Sequence, residues 1–275
     1  MKIKFLFFLS LFCSLTSFAG IKFDDIRWKE AKKKAKLEDK LIFMDFYTTW
    51  CGPCKRMDAD VLSTDTVGNY FNSRFINLKL DAEKGQGVML ASTFSVKSYP
   101  SYIFANSDGE VVDVFIGGRA LKSFLARAQA LEDKEILLPN LEGRYNAGER
   151  SVQFLTTYFS RLKDANRDIS KQLKAHWEAQ NDSARLSQDA WKIIRQFATD
   201  VDDAQFKYVI NHQPEFTNRY GTKAVSTYLA NAYALTLFNS YRYKQASKFQ
   251  RVKRELEDSE YDFADRVLQQ AEKYR

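Results

Sequence analysis

Two cysteines separated by two residues are the most reactive groups in this sequence. Cys51 and Cys54 follow an apolar run, Leu41–Tyr47, and open a segment whose pattern predicts a helix. The N-terminus of a helix carries partial positive charge and unpaired N–H groups, so it stabilises a thiolate on the first cysteine. Because one helical turn separates the two sulfurs, the pair can cycle between dithiol and disulfide.

The first 19 residues are typical of a secretory signal peptide. They begin with two lysines, continue with the apolar stretch 5–15 and end with small residues at the two positions read for cleavage, the second being Ala19. We expect cleavage there and an exported protein, periplasmic if the source is a Gram-negative bacterium. An uncleaved membrane anchor is the alternative, because the uncharged run 5–21 is at the short limit for spanning a bilayer.

The cysteine count strengthens the redox interpretation. Cys13 lies in the predicted signal, so the mature chain keeps only Cys51 and Cys54. A zinc site would need two further ligands, whereas the only histidines, His176 and His212, are far away in the sequence. A structural disulfide across two residues would close almost no loop and would stabilise little. We therefore expect a redox-active Cys51–Cys54 disulfide, with no metal and no other cofactor.

The charge distribution gives no indication of a nucleic-acid partner. The 275-residue chain has a formal net charge of +7, and loss of the two signal lysines leaves 40 basic residues against 35 acidic ones. The densest basic stretch, 29–36, is interrupted and followed by acidic residues, as on a solvated helix face. We therefore expect no nucleic-acid binding.

Residues 20–132 alternate between strand-like and helix-like segments, which predicts an α/β fold with a mixed central sheet flanked by helices. The run 41–47 is apolar almost throughout, as expected of a strand covered on both faces. A Gly-containing turn at 106–109 predicts a hairpin. In chain order we predict a helix at 25–38, a strand at 41–47, helices at 51–62 and after 63–65, a strand at 75–80, a helix at 87–94, strands at 101–105 and 111–116, and a helix at 121–131.

The residue pattern of the sequence changes after Glu132. Residues 133–149 contain one proline and two glycines and are predicted to be a linker. From 150 to 275 apolar residues recur at helical spacing, which predicts an all-helical domain of about six or seven helices. Both a plain bundle and a stack of helical repeats fit this pattern.

The segment 45–55, Asp-Phe-Tyr-Thr-Thr-Trp-Cys-Gly-Pro-Cys-Lys, resembles the active-site segment of the thioredoxin superfamily. Tyr99-Pro100-Ser101 is similar to the cis-proline loop of that family, and Gly117-Gly118 precedes the last helix as it does there. The segments 40–44 and 61–65 resemble exported thioredoxin-like proteins and the reducing C-terminal domain of the transmembrane electron carrier DsbD. The resemblance covers about residues 22–131 and implies a thioredoxin fold for that part.

The resemblance also implies roles for individual residues. Cys51 would be the nucleophile that attacks a substrate disulfide, and Cys54 the thiol that resolves the mixed disulfide. Asp45, an acid within an apolar strand, would accept the proton of Cys54, since burial raises the pKa of a carboxyl group. Family members often place a lysine near this acid; the aligned residue here is Asn77, and Lys79 is a substitute on the same strand face.

The same resemblance assigns a substrate-binding surface around the cysteines. Gly52 and Pro53 would set the turn geometry, and Trp50 would cover the dithiol. Tyr99 and Pro100 would present a backbone edge to a substrate strand, provided that Pro100 is cis.

These features predict an exported thiol:disulfide oxidoreductase that reduces protein disulfides. In an oxidising compartment it would need an electron donor at the membrane, and the resemblance implies one of the DsbD type. An oxidase or isomerase is an alternative, which the Gly52-Pro53 pair disfavours because it resembles reducing members. A third hypothesis makes the helical half a protein-binding module, with the thioredoxin-like half as an accessory.

Overall fold

The computed structural model describes residues 20–273, so the predicted signal peptide lies outside the described residues. The chain divides into two compact units, with the division between Asn140 and Leu141. The first unit contains the cysteine pair.

A four-stranded mixed sheet forms the centre of the first unit, as predicted. Its strands are β1 (Leu41–Tyr47), β2 (Phe75–Asp81), β3 (Ser101–Ala105) and β4 (Val111–Ile116). The spatial order is β2-β1-β3-β4, with β1 parallel to β2 and the other two pairs antiparallel. The active-site segment therefore leaves the end of a central strand.

Helices connect and cover these strands. The predicted helix after β1 is shorter than expected, because its second half, Asp58–Leu62, is a π-helical turn. Gly87 lets the fourth helix approach β2 closely, since a Cβ there would lie 2.0 Å from the carbonyl oxygen of Asp81. The helices of this unit are α1 (Trp28–Glu38), α2 (Gly52–Met57), α3 (Asp65–Arg74), α4 (Gly85–Thr93) and α5 (Leu121–Gln129).

The sheet is buried on both faces, which explains the apolar run of β1. Ile42, Met44 and Phe46 contribute to one core, and Phe43 to the other. The second core includes Met57 and is rich in aromatic rings, and each phenylalanine fully buried there contributes about 1.5–3 kcal/mol relative to exposure. Alternation along β1 thus places Asp45 on the same face as Phe43.

The stretch 133–149, predicted to be a linker, includes the division between the two units and contains helical structure. It contains the helix α6 (Leu138–Asn146), in which Leu138 and Leu141 are buried. Pro139 lies near the start of this helix, where a missing N–H costs little. Burial of the two leucines explains why the segment is ordered.

The second unit is mostly helical, as predicted, but residues 150–273 form nine helices rather than six or seven. Side chains of Ser151, Asn181 and Ser187 cap helix N-termini and so start new helices where apolar spacing alone shows no break. The helices are α7 (Val152–Asp164), α8 (Ser170–Glu178), α9 (Asp182–Arg185), α10 (Gln188–Phe197), α11 (Ala204–Asn211), α12 (Gln213–Tyr220), α13 (Thr222–Arg242), α14 (Ala246–Glu257) and α15 (Ala264–Glu272). Among the residues that the structure describes, none of the helices has the length and apolar character needed to cross a bilayer.

Candidate active site

Cys51 and Cys54 form a disulfide at the start of α2, with their Cα atoms 5.3 Å apart. Cys51 is the N-cap residue of this helix, and Pro53 lies in its first turn. The backbone N–H of Cys54 donates to Sγ of Cys51 at 3.1 Å. Both cysteines are buried, at 3% and 4% exposure.

The two sulfurs lie in different electrostatic environments. Sγ of Cys51 lies at the positive end of the helix and accepts a backbone hydrogen bond, both of which favour a thiolate there after reduction. Cys54 lies within the helix and has no such position. The geometry therefore suits Cys51 to be the attacking thiolate and Cys54 to follow it.

Asp45 is a buried carboxyl on the sheet face that also packs Met57 of α2. It is 2% exposed, and its Oδ1 atom has no hydrogen-bond partner among the described protein atoms. The pKa of Asp45 is raised from 3.8 to about 7. Burial is the largest cause; the nearby Lys79 acts to lower the pKa, and the negative charge of Asp58 acts to raise it. A carboxyl group with a pKa near neutrality can both accept and release a proton under physiological conditions.

Lys79, and not the aligned residue Asn77, faces this acid. In the pairing of β1 with β2, Asp45 lies opposite Lys79, while Asn77 lies opposite Phe43. Nζ of Lys79 is 3.7 Å from Oδ2 of Asp45. The side-chain amide of Asn77 instead donates to backbone and side-chain oxygens near the edge of β2.

Asp58 is a member of the site that our sequence analysis missed. Its Oδ1 atom forms a close ion pair with Nζ of Lys79, so one ammonium group serves two carboxylates. Asp58 follows Cys54 by four residues, one helical turn, and that spacing was the available signal. The row Asp45–Lys79–Asp58 connects the buried acid to a partly exposed one.

Substitutions that remove charges of opposite sign from this row are expected to move the pKa of Asp45 in opposite directions. Lys79→Met removes the positive charge and should raise it, whereas Asp58→Asn removes a negative charge and should lower it. The measurement is the pH dependence of the Asp45 carboxyl ¹³C signal in the oxidised protein. Equal midpoints in the two variants would contradict this electrostatic account.

Three of the predicted substrate-binding residues flank the cysteines in the sequence, and a fourth, Tyr99, contacts Trp50. Trp50 is 66% exposed, and Gly52 and Pro53 are also exposed at the start of α2. The indole Nε1 of Trp50 donates to Oε1 of Glu83 at 2.9 Å, and its ring meets Tyr99 edge-on at 6.0 Å. Glu83 was not predicted, because 33 residues separate it from the tryptophan it orients.

The Tyr99–Pro100 peptide bond is cis, the condition that we attached to the role of this loop. Pro100 is buried, and its carbonyl oxygen accepts from the backbone N–H of Gly117 at 2.9 Å. That bond joins the loop before β3 to the glycine pair after β4. Gly117 has a φ of +88°, which a residue with a side chain rarely adopts.

The two histidines lie in the second unit. Nε2 of His176 is 2.9 Å from the amide of Gln180, and Nδ1 of His212 is 3.0 Å from the carbonyl of Tyr208. Within residues 20–273 no cluster of three or more potential metal ligands is found.

Comparisons with known proteins agree with this geometry. A family model described as thioredoxin-like matches residues 25–107. Thioredoxin-1 of Drosophila melanogaster is 38% identical over 73 residues, covering 26% of this chain and 64% of its own length. Thioredoxin of Staphylococcus epidermidis is 40% identical over 83 residues, covering 30% of this chain and 74% of its own.

A solution structure from Bacteroides thetaiotaomicron, proposed by its name to be a disulphide-isomerase, is 43% identical and covers 42% of this chain and 95% of its own, with a TM-score of 0.39. The sequence matches place the chain in the thioredoxin-like family. It spans just under two thirds of the fruit-fly thioredoxin, and the family-model match ends before the helical unit.

Proposed function

We propose that this protein is an exported thiol–disulfide oxidoreductase that reduces disulfides in other proteins. The observation that carries the proposal is the Cys51–Cys54 pair at a helix N-terminus, on the same side of the sheet as a buried acid with a pKa of about 7. In this reaction the substrate binds beside Trp50 and the loop at Pro100.

The reaction has two steps. The thiolate of Cys51 attacks one sulfur of a substrate disulfide; that bond breaks, and the other substrate sulfur leaves as a thiolate that takes a proton from water. Cys54 then gives its proton to Asp45, and its own thiolate attacks Sγ of Cys51. The mixed disulfide breaks, the second substrate thiolate leaves, and the Cys51–Cys54 disulfide forms. Two electrons pass from the protein to the substrate.

The direction of electron flow is tested by the reduction potential of the pair. The Gly52-Pro53 sequence supports a reductase, so the full-length mature protein, equilibrated with thiol buffers, should show a potential near that of thioredoxin, about −270 mV. A value near that of a strong disulfide donor, about −120 mV, would overturn the reductase assignment.

Export rests on the sequence of residues 1–19 alone. A reductase outside the cytosol needs electrons delivered through the membrane, so we include in the proposal a donor of the DsbD type. The mature protein isolated from the periplasm should begin at Gly20, as read by N-terminal sequencing. A chain that retains residues 1–19 would make this segment an anchor instead.

A further inference from the structure

Tyr102 carries a buried hydroxyl that the packing of its ring does not require. The residue lies in β3 and is fully buried, and its ring centroid is 6.0, 5.1 and 5.1 Å from those of Phe43, Phe115 and Phe124. A phenylalanine would make the same ring contacts. The hydroxyl has no hydrogen-bond partner among the described protein atoms, and burying an unpaired hydroxyl costs free energy. Packing alone therefore favours phenylalanine at this position.

The position of Tyr102 in the sheet suggests what the hydroxyl does. In the antiparallel pairing of β1 with β3, Tyr102 lies directly opposite Asp45, so both side chains stand on the same face. That face also packs Met57 of α2. Oδ1 of Asp45 is likewise without a partner among the described protein atoms. Two buried oxygen atoms without partners among the described protein atoms, the Tyr102 hydroxyl and Oδ1 of Asp45, thus belong to directly opposed residues on one face of the sheet.

The electrostatic environment keeps the hydroxyl a donor. Burial first, and then the negative charges of Asp45 and Asp58, hold the pKa of Tyr102 above its usual range. The phenol therefore stays protonated and can donate, while an ionised carboxylate can only accept.

We propose that Tyr102 is a positioning residue of the redox centre, whose hydroxyl donates a hydrogen bond through one bridging water to the carboxylate of Asp45. A buried water binds where two or more polar groups satisfy it, and two such groups lie on adjacent strands here. The hydrogen bond stabilises the ionised form of Asp45, which accepts the proton of Cys54. This role rests on the proposed function, in which Asp45 is that acceptor.

Other charged groups around this face have defined partners. Lys79 of β2 and Asp58, which follows α2, both act on Asp45. Asp113 of β4 and Arg127 of α5 are joined by two hydrogen bonds of 2.7 Å. A change at Tyr102 alone therefore leaves these charges in place.

The test is Tyr102→Phe in the full-length oxidised protein, with the Asp45 carboxyl ¹³C signal followed against pH. We expect the midpoint to move to higher pH than in the wild type. The matched control is Tyr70→Phe, which removes a hydroxyl that donates to Glu132 at 2.9 Å in the same unit, and it should leave the midpoint unchanged. An unchanged midpoint in Tyr102→Phe overturns the proposal.

A second measurement addresses the reaction itself. Resolution of a preformed mixed disulfide by Cys54 should slow about tenfold in Tyr102→Phe at mildly acidic pH and recover at alkaline pH, where Asp45 is ionised in both proteins. An equal slowing at every pH would indicate a packing defect and overturn the proposal. The NMR titration needs no substrate and no turnover, so it succeeds or fails independently of the reductase assignment.

Discussion

Cys51→Ser is expected to abolish disulfide reduction. With insulin as substrate and a chemical dithiol as electron source, turnover by the variant should fall at least about 10³-fold, to the uncatalysed background, because a serine hydroxyl cannot replace the attacking thiolate. Sγ of Cys51 accepts the N–H of Cys54 at the start of α2, and this is the position that stabilises negative charge. Retention of turnover would refute the assignment of the nucleophile.

Cys54→Ser is the informative companion variant, because it keeps the nucleophile and removes only the second step. Steady-state turnover should fall to a similar background, but the variant should accumulate mixed disulfides through Cys51. These are detected as bands on a non-reducing gel that disappear on reduction, and mass spectrometry identifies the partners. If Cys54→Ser accumulates no mixed disulfide with a protein partner in cells, its resolving role is wrong.

The strands were predictable because their apolar character is continuous in sequence. The predicted bounds of β1, β3 and β4 agree with the structure, and β2 is longer by one residue. Residues 133–149 were predicted to be a linker from Pro139, Gly143 and Gly148, whereas the helix α6 within them depends on burial of Leu138 and Leu141, which local sequence does not encode. Local sequence therefore predicts the type and bounds of an element better than it predicts what that element packs against.

The candidate site shows the same limit. The cysteine pair and Asp45 could be singled out because their types and spacing are recognisable within one short segment. Glu83 and Tyr102 could not, because their importance depends on pairings across 33 residues and across two antiparallel strands. Lys79 was found only as a substitute, and strand register, which places it opposite Asp45, decided between it and Asn77.

Asp45→Asn is expected to stabilise the oxidised protein at alkaline pH. Because burial raises the pKa of Asp45 from 3.8 to about 7, the folded state holds a proton that the unfolded state has lost between these values. Stability contributed by this group is therefore present at low pH and is lost as the pH rises through that window. The difference between the two pKa values corresponds to a loss of unfolding free energy on the order of 4 kcal/mol at alkaline pH, and the asparagine variant should not show this loss.

The measurement is the free energy of opening of the thioredoxin-like unit, read from hydrogen exchange of β1 and β3 amides in the full-length oxidised protein. At about pH 8 the variant should exceed the wild type by about 2–4 kcal/mol, with the advantage shrinking or reversing near pH 5. The asparagine amide needs a hydrogen-bond partner of its own, which reduces the gain. A pH-independent difference between the two proteins would contradict the raised pKa.

Asp113→Asn is the matched control, because Asp113 is also a fully buried carboxyl of the same sheet. The difference is its partner: two 2.7 Å hydrogen bonds join it to Arg127. Removing this charge leaves the guanidinium of Arg127 without its buried counter-ion and should destabilise the unit by about 3–5 kcal/mol. The two asparagine variants therefore have effects of opposite sign on stability at alkaline pH. Asp113 is held by a bidentate ion pair with Arg127, whereas at Asp45 burial outweighs the attraction of the shared Lys79 and raises the pKa to about 7.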